Sequence, residues 1–209
     1  MKLNLERKQW IVFAFTLFYV LAFATYYISI RNFEFLWYIG VIMFFFVLIL
    51  FTLHRSRFDY VILAGLSLWG FLHLAGGSLM VDGGILYNWE VLPLFEVSGS
   101  TVLKFDHIVH SFGFGVSALV LYHLILPYLN NAVNWKVLFT IIVVAAAGLG
   151  ALNEAVEFIA VIFVPETNVG GYTNTALDIV FNFLGAIVAV VLIKTTGYKS
   201  EKRGRRKIL

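Results

Sequence analysis

Cysteine is absent from the 209 residues, which excludes disulfides, thiolate metal sites and cysteine nucleophiles. Charge is scarce as well. Only 13% of the residues are Asp, Glu, Lys or Arg, against roughly 25% in an ordinary soluble domain. With 61% of its residues hydrophobic, the chain cannot cover a water-soluble globule, and no separate soluble module is expected. The sequence contains no Walker loop, dinucleotide fingerprint or calcium loop. Internal repeats and low-complexity segments are missing too. Ser78 and Ser111 lie near histidines, but spacing alone does not make a nucleophilic triad.

What the chain has instead is long apolar runs. They extend over residues 10–30, 36–53, 60–79, 103–126, 137–163 and 177–193, each near the 20 or so residues that cross a bilayer core of about 30 Å. Continuous runs of this length argue against strands, which would alternate in polarity and need a closed barrel in lipid. The expected fold is an all-α integral membrane protein, a bundle of six spans forming a single membrane domain over 1–209. Between the spans, residues 80–102 and 164–176 carry the Gly, Pro and Asn punctuation of ordered loops, as in Asp82-Gly83-Gly84, Pro93, Pro165 and Gly170-Gly171. The first of these loops, with Tyr87, Trp89 and Glu90, is a candidate lid.

Lysine and arginine set the orientation, because they are retained in the cytoplasm. If the N-terminus is inside, Arg31 and Lys104 are the two basic residues on the outer side, and the other thirteen of the 15 lie inside. Both termini are therefore expected in the cytoplasm, in a multi-pass protein of the cell membrane, the inner membrane if the source is bacterial. The basic run 199–207 reads as a topology anchor touching anionic lipid, and no nucleic-acid partner is expected. Ala22-Phe23-Ala24 after a basic start imitates a signal peptide, but the apolar run continues through Ile30, and the segment reads as a span.

Ionisable residues inside a membrane cost about 2.5 to 3.5 kcal/mol each and need partners or a watery cavity. This sequence places several in spans 3 to 6: His73, then Asp106, His107 and His110, then Asn153, Glu154 and Glu157, then Asp178 and Asn182. With about 1.5 Å of rise per residue, His73, His110, Glu154, Glu157, Asp178 and Asn182 fall within roughly 2 to 14 Å of the outer boundary. Residues three or four apart share a helix face. On that spacing Asp106 pairs with His110, His107 with His110, Glu154 with Glu157, Asn153 with Glu157, and Asp178 with Asn182. Two carboxylates one turn apart repel unless a proton or cation lies between them.

The set suits a divalent metal, and the mix of imidazole and carboxylate favours zinc, manganese or iron over copper(I). The candidate ligands are Asp106, His107, His110, Glu154 and Asp178. Glu157, Glu154 and His73 are the candidate catalytic groups, and Asn153 and Asn182 complete the polar cluster. His54 and His123 fall near the opposite face and read as structural. Gly76, Gly77, Gly113, Gly115, Gly148, Gly150 and Gly185 read as close-packing points between helices. Spans 1 and 2, almost free of ionisable residues, read as a lipid-facing scaffold beside a working bundle of spans 3 to 6.

Four short motifs carry a resemblance to a known family. They are residues 72–77 (LHLAGG), 105–113 (FDHIVHSFG), 154–158 (EAVEF) and 178–185 (DIVFNFLG). In order and spacing they resemble the YjdF-type inner-membrane family of unknown function and, more distantly, the VanZ-like proteins, over about residues 60–190. The VanZ-like pattern has a basic residue where His107 stands, a Gln where Glu157 stands and an Arg in the loop before the last span, where this chain has Glu166. Three functions fit the residues. One is a metal-dependent enzyme that hydrolyses or transfers a lipid or lipid-linked headgroup. The others are a proton-coupled transporter and a non-enzymatic accessory protein. Membrane lipids are the expected partners in each case.

Overall fold

Short polar residues start three of the helices in the computed structural model, which describes residues 5–97, 100–129, 132–165 and 167–198. Asn32 Oδ1 accepts the amide of Phe35, Asp59 Oδ1 that of Ile62, and Asn134 Oδ1 those of Lys136 and Val137. Each cap satisfies first-turn N–H groups that have no partner within the helix. The chain forms α1 (Arg7–Ser29), α2 (Phe33–Ser56), α3 (Tyr60–Gly76), α4 (Phe105–Ile125), α5 (Trp135–Phe163) and α6 (Tyr172–Thr196). The strands among the described residues are two tiny hairpins in the α3–α4 connection. There β1 (Met80–Val81) pairs with β2 (Gly84–Ile85), and β3 (Glu96–Val97) with β4 (Ser100–Thr101).

The fold is all-helical. Five helices are long and apolar enough to cross a membrane, and α3, at 17 residues, is shorter, about 25 Å long. It stops at Gly76 instead of continuing to 79 because the amides of Ser78 and Leu79 both turn back onto the carbonyl of Ala75. At the other extreme α6 starts five residues before the expected 177, its first turn being polar and therefore invisible to a search for apolar runs. The basic tail 199–209 and Glu166 lie outside the described residues.

Packing divides the helices less cleanly than their composition does. The most extensive interface is α4 on α6, α5 packs across both, and α3 lies against α4 on one side and α1 on the other. Polar contacts tie α1 to α3: Thr16 Oγ1 and Ser67 Oγ are 2.7 Å apart, and the Tyr19 and Tyr27 hydroxyls donate to the carbonyls of Ser67 and Leu74. Such bonds are the usual glue between helices in lipid. The scaffold expected from spans 1 and 2 is not inert, because α2 turns Glu34, Phe35 and Tyr38 inward to buried positions.

Beyond His110 toward the C-terminal end of α4, the bundle is filled by Ala118, Ile142, Ala146, Ala186 and Val190, all buried. Of the glycines expected at close contacts, Gly77 faces Phe35, Gly113 faces Trp69 and Gly185 faces the backbone of Ser111, whereas Gly148 has nothing within 4 Å. Gly148 therefore lies open on the surface of α5.

Candidate functional site

The site begins with an unusual turn. Leu103 adopts φ +73°, a left-handed conformation that a bulky side chain seldom takes. The turn aims the amides of Leu103 and Lys104 at His107 Nδ1, 3.0 and 3.1 Å away. One imidazole thereby satisfies two backbone donors at the start of α4. With Nδ1 accepting, the neutral ring carries its proton on Nε2, which points at Asp178 Oδ1 from 3.9 Å. The ring is fully buried and lies flat on Phe181, centroids 4.6 Å apart and 2° from parallel.

One turn further on, His110 is the hub. Its Nε2 lies 3.5 Å from Asp106 Oδ1, 3.9 Å from Glu157 Oε1 and 4.0 Å from Asp178 Oδ1, and its Nδ1 lies 3.6 Å from Glu154 Oε1. The closest partner of Nδ1 is Asn182 Oδ1 at 3.1 Å. Because an amide oxygen only accepts, this bond places a proton on Nδ1, and Nε2 faces three carboxylate oxygens. Among the described residues the ion pairs of these four carboxylates are all with imidazoles.

Amides hold the carboxylates in place. Asn174 Nδ2 donates to Asp178 Oδ2 at 2.7 Å and to Asp106 Oδ2 at 3.4 Å, which leaves the Oδ1 atoms of both for His110. Asn153 Nδ2 donates to Glu157 Oε1 at 2.8 Å. Even so, His107 Nε2, Glu154 Oε1, Asp178 Oδ1 and Asn182 Nδ2 are buried without a hydrogen-bond partner. A buried polar atom left unpaired costs about 1 to 3 kcal/mol, and here four of them belong to one cluster. Two sets of groups are close enough to share an ion, Asp106 with His110 and Asp178, and His110 with Glu154 and Glu157.

The connection after α3 folds back over this region. The Phe105 amide donates to the carbonyl of Trp89 and the Val91 amide to that of Leu103, so the loop is tied to the turn that holds His107. In its 3-10 turn (Leu86–Asn88) Tyr87 brings its hydroxyl to within 2.5 Å of His73 Nδ1 and its ring onto Phe35 and Phe105. Burial, and after it the charges of Asp106 and Glu157, push the Tyr87 phenol well above its ordinary pKa. The phenol is thus a proton donor to His73 throughout the accessible range. Tyr87→Phe is expected to lower stability by about 1 kcal/mol, since it leaves the partly buried His73 Nδ1 without its donor. Thermal unfolding in detergent measures this, and an unchanged midpoint would show that the bond is not formed.

The structure brings Asp106, His107, His110, Asn153, Glu154, Glu157, Asp178 and Asn182 into one cluster. His73 stands beside it, within 4.0 Å of none of the carboxylates, among the rings of Tyr38 and Tyr87. Two contributors escaped the sequence reading. Asn174 lies four residues before Asp178, a spacing that would have flagged it had the helix been started early enough. Glu34, buried at the start of α2, accepts the amide of Asn168 at 2.8 Å and its side chain at 3.2 Å, fixing the loop that leads into α6.

The chain matches the family model described as "Predicted membrane protein (DUF2238)" over residues 4–198. This corresponds to the YjdF-type resemblance; the more distant VanZ-like likeness has no such match. No curated protein and no solved structure matches.

Proposed function

We propose a membrane-embedded, metal-dependent hydrolase or transferase, starting from its family: the chain belongs to the DUF2238 family of predicted membrane proteins. All six helices cross the membrane with both termini in the cytoplasm, as the distribution of lysine and arginine favours, and the cluster then lies in the outer half of the bilayer. One observation carries the reading. Three carboxylate oxygens from three helices lie 3.5, 3.9 and 4.0 Å from His110 Nε2. Ligands at about 2.0 to 2.2 Å from an ion are at most about 4.4 Å apart, so these separations suit a shared cation. Without one, the buried Glu154 and Asp178 and the half-buried Asp106 and Glu157 would share this space with imidazoles as their ion-pair partners among the described residues, a costly arrangement in lipid.

Asp106, His110 and Asp178 are the ligands in this reading, with Glu157 beside them. A divalent cation there supplies activation of water and polarisation of a phosphoryl or carbonyl oxygen. His107 stands beside Asp178, Nε2 to Oδ1 3.9 Å, instead of ligating, since two backbone amides occupy its other nitrogen. Glu157 and Glu154 are the bases, Glu157 held by Asn153. Closed on one side by the apolar layer of Ala118, Ile142 and Ala186, the site fits a reaction on a lipid or lipid-linked headgroup at one membrane face. That same layer argues against a proton path through the bundle, which would need polar groups along its whole length.

Elemental analysis of the purified protein is the test. Stoichiometric divalent metal is expected, removed by a chelator and restored by zinc, manganese or iron. Glu157→Gln should keep the metal and lose headgroup release from phospholipid vesicles. If the protein retains no metal and each carboxylate variant merely loses stability, the cluster is structural.

A further inference from the structure

The connection between α3 and α4 is rooted below the level that α2 reaches at the cluster end of the bundle. His123 Nε2 lies 2.9 Å from the Ser56 carbonyl oxygen, so α4 at His123 is level with the end of α2. From Ser56, α2 runs back about 34 Å to Phe33, whereas α4 runs only about 27 Å from His123 to Phe105. Starting just past the same turn, α3 has 17 residues and covers about 25 Å to Gly76. Arg55 and Arg57 flank Ser56, which puts this level at one edge of the hydrocarbon core. With a core of about 30 Å, Gly76 and Phe105 both lie about 3 to 5 Å inside the other edge.

Hydrogen bonds keep the chain between these roots close to them. The amides of Val91 and Leu92 both turn to the carbonyl of Leu103, the Val102 amide bonds that of Phe95, and β3 pairs with β4 beyond. Val102 is three residues from Phe105, at most about 10 Å along an extended chain. Phe95, held by Val102, therefore lies no more than about 7 Å outside the core edge whichever way the arm points. The headgroup layer is about 5 to 7 Å deep on each side, so the arm stays within it.

The composition of the arm suits that layer. Residues 92–97 read Leu-Pro-Leu-Phe-Glu-Val, and Leu92, Leu94, Phe95 and Val97 are each more than a third exposed. In water such a run would be an aggregation liability; in the headgroup layer lipid covers it. Trp89, at the root, is a ring of the kind favoured at this depth. A protein partner fits less well. A stable interface takes about 20 residues a side, and in a two-fold contact between copies the carboxylates of Glu90 and Glu96, which flank the run, would meet their own counterparts.

We propose that residues 92–97 are a membrane-binding arm that lies in the headgroup layer at the cluster end of the bundle, with the lipid interface as its partner. Leu103 connects the arm to the site: its carbonyl takes both arm amides and its own amide is bonded to His107 Nδ1. The proposal rests on the six-span placement given above and is independent of the metal.

Because the chain has no cysteine, Phe95→Cys, at a position 60% exposed, carries a single environment-sensitive fluorophore without disturbing the core. The full chain is placed in nanodiscs of phosphatidylethanolamine and phosphatidylglycerol containing lipids with a nitroxide at the headgroup or midway along an acyl chain. Phe18→Cys, on the exposed face of α1, is the reference for the core, and the dye on free cysteine the reference for water. The Phe95 probe is expected to be quenched most by the headgroup nitroxide and about tenfold less than the free dye by aqueous iodide, the preference that about 1.4 kcal/mol gives. Adding Leu92→Asp and Leu94→Asp should restore quenching by iodide. Iodide quenching equal to that of the free dye overturns the proposal, as does protection from iodide and from both nitroxides together, which would place the arm against protein. A Phe18 probe that escapes the acyl-chain nitroxide removes the six-span placement and the arm with it, whereas a quenched Phe18 probe beside a water-exposed Phe95 probe removes the arm alone.

Discussion

Replacing His110 by alanine is expected to weaken divalent-metal binding by more than about 100-fold, past the 10- to 100-fold usual for a residue that only supports a ligand. The purified variant should therefore contain almost none. The reason is geometric. His110 is the one residue belonging to both sets of groups close enough to share an ion, and its Nε2 is the atom from which Asp106, Glu157 and Asp178 are all measured at 4.0 Å or less. Without it the carboxylates keep their mutual repulsion and lose the imidazole nitrogen that completes the set. Asn174→Ala should do less, within that 10- to 100-fold range, because Asn174 touches only the outer oxygens of Asp106 and Asp178 and so affects their aim. Metal content after dialysis, followed by competition with a chelator of known affinity, gives both numbers. Equal losses in the two variants would mean that the cluster fails as a whole when disturbed and that His110 has no special place in it.

The helices were legible because lipid-spanning segments must be continuous and apolar, and the facing pairs were legible because three- and four-residue spacing puts side chains on one helix face. Asp106 with His110, and Asn153 with Glu157, follow from that spacing alone. What escaped depends on contacts that periodicity does not contain. Glu34 meets Asn168 across 134 residues of chain, and nothing in the local sequence of either announces the other. His107 looked like a ligand because it is a histidine one turn from another. Its Nδ1 is engaged by the two preceding amides only because Leu103 takes a left-handed conformation, which its residue type gives no reason to expect. Asn174 was hidden by the polar first turn of α6, and Gly148 was grouped with the packing glycines because composition cannot tell an open helix face from a crowded one.

The contrast between two glycines yields the other large effect. Gly185→Ala is expected to destabilise the protein by about 3 kcal/mol or more, the upper end for overpacking, and to release the metal. A Cβ at Gly185 would overlap the backbone carbonyl of Ser111, and a backbone group cannot swing aside as a side chain does. To make room, α6 must move away from α4, and the pairs across that interface, His110 with Asn182 and Asp106 with the Asn174-held Asp178, separate together. Gly148→Ala is the matched control. It too lies in the interior of an apolar helix, but has nothing within 4 Å, so the added methyl meets no protein atom and the helix gains up to about 1 kcal/mol of intrinsic propensity. Both substitutions change helix propensity by the same amount, so opposite shifts in the thermal midpoint isolate the contact at Gly185 as the cause. Metal content ties that contact to the site: a Gly185→Ala protein as stable and as metal-loaded as its parent would show that α4 and α6 do not meet through this glycine.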